Sequence, residues 1–107
     1  MNRIEQLEDL LTKGQDNALL RFGLGNALLQ AGEPTRAVEH LRAAVRHDPA
    51  YSAAWKALGK ALTEAGQIEA AGAAYKAGIQ AAETRGDVQA AREMKVFLQR
   101  LGQGGGR

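Results

Sequence analysis

Sliding the chain along itself until Leu24-Gly25 falls on Leu58-Gly59 brings like residues onto like, and this internal repeat constrains the fold more than any other feature. At the same shift Leu28 falls on Leu62, and Ala31-Gly32 on Ala65-Gly66. Further along, Ala37 falls on Ala71, Leu41 on Tyr75 and Val45 on Ile79. Two units emerge, 18–51 and 52–85. Each carries an apolar stripe at i, i+3/i+4, a glycine stop and a second stripe, which is the pattern of a helical hairpin. The punctuation is physical. Gly32 and Gly66 stand just past the first helix, where a left-handed residue closes it without a Cβ penalty. Pro34 suits the first turn of the second helix, where its missing N–H costs nothing, and Asp48-Pro49 ends that helix. Gly25 and Gly59 lie inside helices at a cost of about 1 kcal/mol each against alanine, an expense that close helix approach explains.

Composition agrees. Ala, Glu, Lys, Leu and Arg supply 56 of 107 residues, whereas Val, Ile and Thr together supply 11, so the chain reads as helical with little material for a sheet. Leu, Ile, Val and Phe total only 22, and the core must therefore rely on closely packed alanine. There is no cysteine, which excludes disulfides, thiolate metal sites and a thiol nucleophile. No run of 18 apolar residues exists, and Met1–Leu10 carries Arg3, Glu5, Glu8 and Asp9, so neither a membrane span nor a signal peptide is expected and the predicted location is the cytoplasm. A net charge of +2 and few aromatic rings argue against nucleic acid as a partner.

The flanks continue the period in diluted form. Leu7, Leu10 and Leu11 stand one period before Leu41, Ala44 and Val45, so 1–14 is predicted to hold the second helix of an otherwise missing repeat. Ala91, Met94, Leu98 and Leu101 follow Trp55, Leu58, Leu62 and Ala65 at a shift two positions longer than the period, and 87–101 is predicted to be a first-type helix capped by Asp87. Residues 102–107 are predicted to be a flexible tail.

Trp55-x-x-Leu58-Gly59-x-x-Leu62 followed by Ala71, Tyr75 and Gly78 resembles a tetratricopeptide repeat, as does Leu24-Gly25-x-x-Leu28 with Ala37, Leu41, Ala44 and Pro49. Arg21 replaces the usual aromatic of the first unit, and Glu83 stands where proline closes the second, so the helix containing Glu83 is predicted to run on. The resemblance implies an all-α fold, a right-handed superhelical α-solenoid of six antiparallel helices. It also implies a concave groove, lined by the first helix of each repeat, in which partner peptides bind.

Carried onto this chain residue by residue, the groove positions are Leu19, Phe22, Asn26, Leu29 and Gln30 in the first repeat, and Ala53, Lys56, Lys60, Thr63 and Glu64 in the second. The terminal helix would add Gln89, Arg92, Val96, Gln99 and Arg100. Lys56, Lys60, Arg92 and Arg100 against Glu64 make this surface basic, with Leu19 and Phe22 as an apolar floor at one end, and such a mixed groove suits a segment with acidic residues. The carboxylate clamp of chaperone-binding family members is incomplete here: Asn26 matches, but Phe22 replaces a clamp lysine and Ala57 a clamp asparagine.

No catalytic constellation converges. His40 and His47 are seven residues apart on one helix, roughly 10 Å of rise, too far to share a metal ion. Gly23-Leu24-Gly25 lies mid-helix with no preceding strand and is no phosphate loop. The expected function is a non-enzymatic protein–protein interaction module, with no cofactor or metal and a protein or peptide partner of acidic character. The alternative is a homo-oligomer formed through the terminal helix, because Val96, Phe97 and Leu98 cannot all be buried on one face.

Overall fold

The computed structural model describes residues 1–105, which form six α-helices and no strand: α1 (Arg3–Thr12), α2 (Ala18–Gln30), α3 (Pro34–His47), α4 (Ser52–Glu64), α5 (Ile68–Arg85) and α6 (Val88–Gly105). The helices fall where the repeat places them. Asn2 opens α1 with a reciprocal capping box to Glu5, Asn17 caps α2 through the Leu20 amide, and Asp87 caps α6 through the Ala90 amide. Gly32 and Gly66 adopt φ of 78° and 81°, the left-handed conformation that lets each hairpin turn back. Gly86 closes α5 in the same way, a stop the period did not disclose because it falls at the two-residue offset before α6. Helix α5 indeed continues through Glu83. Helix α6 runs to Gly105, past the predicted end at Leu101, so 102–105 are helical and not a tail; residues 106–107 of that expected tail lie outside the described residues.

Consecutive helices pack as neighbours, and α2 also meets α4 while α4 meets α6; the backbones of α1, α3 and α5 meet only helices adjacent in sequence. The first-type helices α2, α4 and α6 therefore form an inner layer, with the second-type helices outside it. Glycine and a large side chain interlock within each hairpin. A β-carbon added at Gly25 would lie 2.6 Å from Leu41 Cδ2, and one at Gly59 would lie 2.6 Å from Tyr75 Cδ1. The close approach expected of the interior glycines is present, but what fills the space opposite is a leucine or a tyrosine rather than another small residue. Gly78 plays the same part both within the second hairpin, meeting the Trp55 Cβ, and toward α6, meeting the Met94 side chain.

The core is built of leucine and alanine. Leu24, Leu28, Leu41, Leu58, Leu62 and Met94 are wholly buried, cemented by Ala37, Ala44, Ala54, Ala61, Ala71 and Ala82. Trp55 is half-buried and bridges the two halves of this core, its Nε1 donating to the Pro49 carbonyl at 2.8 Å.

Candidate interaction groove

Because α2 and α4 are inner-layer neighbours, residues of the same repeat position face one another across a cleft of about 470 Å³. Its walls are Phe22, Asn26, Leu29 and Gln30 from α2 and Ala53, Lys56, Ala57, Lys60 and Glu64 from α4. Eight of these nine are groove positions expected from the sequence; Ala57 is the addition. Phe22 packs on Tyr51 with ring centroids 4.9 Å apart, which fixes the apolar end of the floor. Thr63 turns inward to its own helix, donating to the Gly59 carbonyl at 2.7 Å. Leu19, 72% exposed, lines a second hollow that adjoins the first at Phe22, Asn26 and Gln30.

The terminal helix contributes differently from expectation. Arg92 lines a separate hollow with Glu83, Gly86, Val88, Ala91 and Lys95, and Val96 is exposed without entering the α2–α4 cleft. Arg100 and Gln99 are exposed and line neither this cleft nor the adjoining hollow. The link of α6 to the cleft is Glu93, which pairs with the wall residue Lys56: Glu93 Oε1 accepts from Lys56 Nζ at 2.7 Å while its Oε2 accepts from Gln89 Nε2 at 3.1 Å. The Lys56 ammonium and the Gln89 amide hold the Glu93 carboxyl below its ordinary pKa. Phe97 follows one turn later, stacked 5.7 Å from Tyr75, with Lys60 Nζ 5.4 Å from its ring centre.

The reason lies in the repeat. With the two-residue offset of α6 included, Glu93 and Phe97 take the places of Ala57 and Ala61, two buried alanines of α4. Alanine is short at these positions; glutamate and phenylalanine on α6 instead reach across to Lys56 and Lys60. The signal was available in the sequence, where both positions change from alanine to a long side chain. The strongly basic wall expected of the groove is thus tempered. Lys56 is engaged by Glu93, whereas Lys60 makes no ion pair among the described residues.

The two histidines enter a polar network at the start of the solenoid. His40 is half-buried, its Nδ1 3.0 Å from Arg21 Nη1; Arg21 chelates Asp16 at 2.8 and 2.9 Å, and His47 Nε2 lies 2.9 Å from the same carboxylate. Arg21, the residue that departs from the repeat pattern, is thereby the centre of a polar network joining the α1–α2 loop to α3. The Arg21 and His47 contacts hold Asp16 well below the usual carboxylate range, and burial together with the Arg21 charge pushes His40 down. No cluster of three or more metal-ligating side chains occurs among the described residues.

A family model described as "Tetratricopeptide repeat" matches residues 4–46 and 22–85. The chain belongs to the tetratricopeptide repeat family. It is 55% identical over 98 residues to TPR repeat-containing protein PA0015 of Pseudomonas aeruginosa, spanning 92% of this chain and 93% of that protein. Among solved structures, protein BPP2914 from Bordetella parapertussis is 45% identical with a TM-score of 0.82, over 96% of this chain and 90% of that one. The Sgt2 TPR domain from Aspergillus fumigatus is 29% identical with a TM-score of 0.79, over 94% of this chain and 64% of that one. This tetratricopeptide-repeat chain is an all-α solenoid, the fold of a protein–protein interaction scaffold, and proteins of the family are in general non-enzymatic. No helix among the described residues is long and apolar enough to cross a membrane.

Proposed function

We propose that the chain binds a segment of a partner protein in the α2–α4 cleft, as an interaction module without catalysis. The observation that carries this reading is the cleft's mixed wall: Phe22 and Leu29 offer apolar contact, Asn26 and Gln30 offer amides, and Lys60 offers a cation with no carboxylate of its own among the described residues. Such a surface takes an extended peptide with one hydrophobic anchor and an acidic residue within a few positions of it.

Acidic peptides with a leucine or phenylalanine anchor, read by fluorescence anisotropy, test the assignment. Binding is expected to exceed that of neutral analogues and to weaken with salt, since exposed charges are screened over about 8 Å at physiological ionic strength. Lys56→Glu with Lys60→Glu removes it while leaving helix content intact. Phe22→Ala weakens it without changing the salt dependence. Arg42→Glu and Lys76→Glu, both exposed on outer-layer helices, leave it unchanged. Loss on the outer changes with retention on the groove changes places the binding face on the other side.

A further inference from the structure

The hollow beside Leu19 has a specific internal counterpart. Its walls from α2 include Leu19, Phe22, Gly23, Asn26 and Gln30, and a step of one repeat turns these into Ala53, Lys56, Ala57, Lys60 and Glu64, the α4 wall of the groove. Across the groove that α4 wall faces α2. Across the hollow, the equivalent α2 wall faces nothing among the described residues, and the space of about 590 Å³ stands open.

The floor tells the same story. Arg3 and Leu7 of α1 line the hollow, and they are the repeat equivalents of Ala37 and Leu41, which lie wholly buried on α3 beneath α2. Gly23 and Ala27, equivalents of the buried Ala57 and Ala61, are small and only half-buried. A first-type helix, packed as α2 packs on α3 and α4, would cover all four.

We propose that this hollow receives an amphipathic helix from a partner protein, seated where a preceding first-type helix would lie and completing the repeat in trans. The surface dictates the occupant's chemistry. Leu7 needs a glycine opposite it, as Leu41 needs Gly25, so the helix carries a Leu-Gly-x-x-Leu pattern like that of α2 and α4. Arg3 makes no ion pair among the described residues and lies with its Nη2 3.8 Å from where a Gly23 β-carbon would be. It therefore favours an acidic side chain on the flank of the incoming helix. A second copy of this chain is a poor occupant. Its terminal helix α6 is of the first type, but Lys95 stands at the position of Gly59, held to Glu83 at 2.9 Å, and would strike Leu7. This hollow shares Phe22, Asn26 and Gln30 with the α2–α4 cleft but opens on its other side, and neither proposal depends on the other.

The probe is a hydrocarbon-stapled, fluorescein-labelled helix with the sequence of residues 52–65, made as such and with Lys56→Glu within the peptide. Anisotropy with the full chain is expected to saturate, more tightly for the glutamate form, and Arg3→Gln in the protein removes that preference. Leu19→Glu, at a position already exposed, weakens binding at least about tenfold with helix content unchanged. Gly23→Leu, which fills the floor, does the same by an independent route. Gly59→Leu within the peptide abolishes binding, and Lys60→Glu in the protein leaves it within twofold. The proposal is overturned if the probe does not bind, if binding survives both Leu19→Glu and Gly23→Leu, or if it is lost only on Lys60→Glu. A wild-type dimer that dissociates on Leu19→Glu also overturns it, in favour of a second copy.

Discussion

The Tyr75 ring lies directly on the α-carbon face of Gly59, so close that a β-carbon there would come 2.6 Å from Tyr75 Cδ1 and Cζ. This contact sets the separation of α4 and α5. Gly59→Ala gains about 1 kcal/mol of helix propensity but loses about 1–3 kcal/mol to overpacking, so its melting temperature is expected to fall. Gly72→Ala serves as the control, since the nearest atom to its β-carbon is Leu98 Cδ1 at 3.8 Å, and melting there is expected to rise. A Gly59→Ala protein as stable as Gly72→Ala would dissolve the argument.

Trp55 is expected to matter for stability through two separable contributions. Truncation in Trp55→Ala should cost about 2–3 kcal/mol, below the about 3–5 kcal/mol of a fully buried ring, because this side chain is half-exposed. Trp55→Phe keeps most of the apolar contact but loses the bond to the Pro49 carbonyl, for about 1 kcal/mol. Urea unfolding of the two variants separates the contributions, and equal losses would show that the hydrogen bond carries the whole effect.

Stability should decline on acidification in two windows. A guanidinium only donates, so His40 Nδ1 must accept from Arg21 and the folded state favours the neutral ring. With its folded pKa below the unfolded value of about 6.5, the unfolded chain takes up the proton first, and stability is full above that pH and falls below it. Asp16, depressed by Arg21 and His47, adds a second loss below about pH 4. Denaturant midpoints from pH 8 to 3 are expected to fall in both windows, with His40→Gln flattening the upper one and Asp16→Asn the lower. Unaltered profiles in both variants would remove the network from any role in stability.

Glu93 engages Lys56, so a peptide bound as proposed would compete with it for that ammonium. Glu93→Gln frees that ammonium, and affinity for acidic peptides is expected to rise by up to about fivefold, the modest effect of an exposed ion pair. Arg92→Gln, outside the cleft, should leave peptide affinity unchanged. The reverse ranking would return Arg92 to the groove.

The internal period, the glycine stops and the Leu-Gly-x-x-Leu stripes were enough to determine six helices and their hairpin pairing, whereas the groove positions Phe22, Asn26, Lys56 and Lys60 were expected only from the family resemblance. The helices and their pairing follow from local rules: helix periodicity selects the buried face, and glycine selects where a hairpin turns and where helices approach. Tertiary structure alone decided what the ends of the solenoid do. Glu93 pairs with Lys56 of the cleft wall while Arg92 lines a separate hollow, because a long side chain now stands where α4 has alanine and its reach depends on the neighbouring helix. Arg21 became the hub of Asp16, His40 and His47, residues up to 31 positions apart that only folding brings together. Arg3 and Leu7 line an open hollow although their repeat equivalents Ala37 and Leu41 are buried, since burial belongs to the packed neighbour and not to the residue itself.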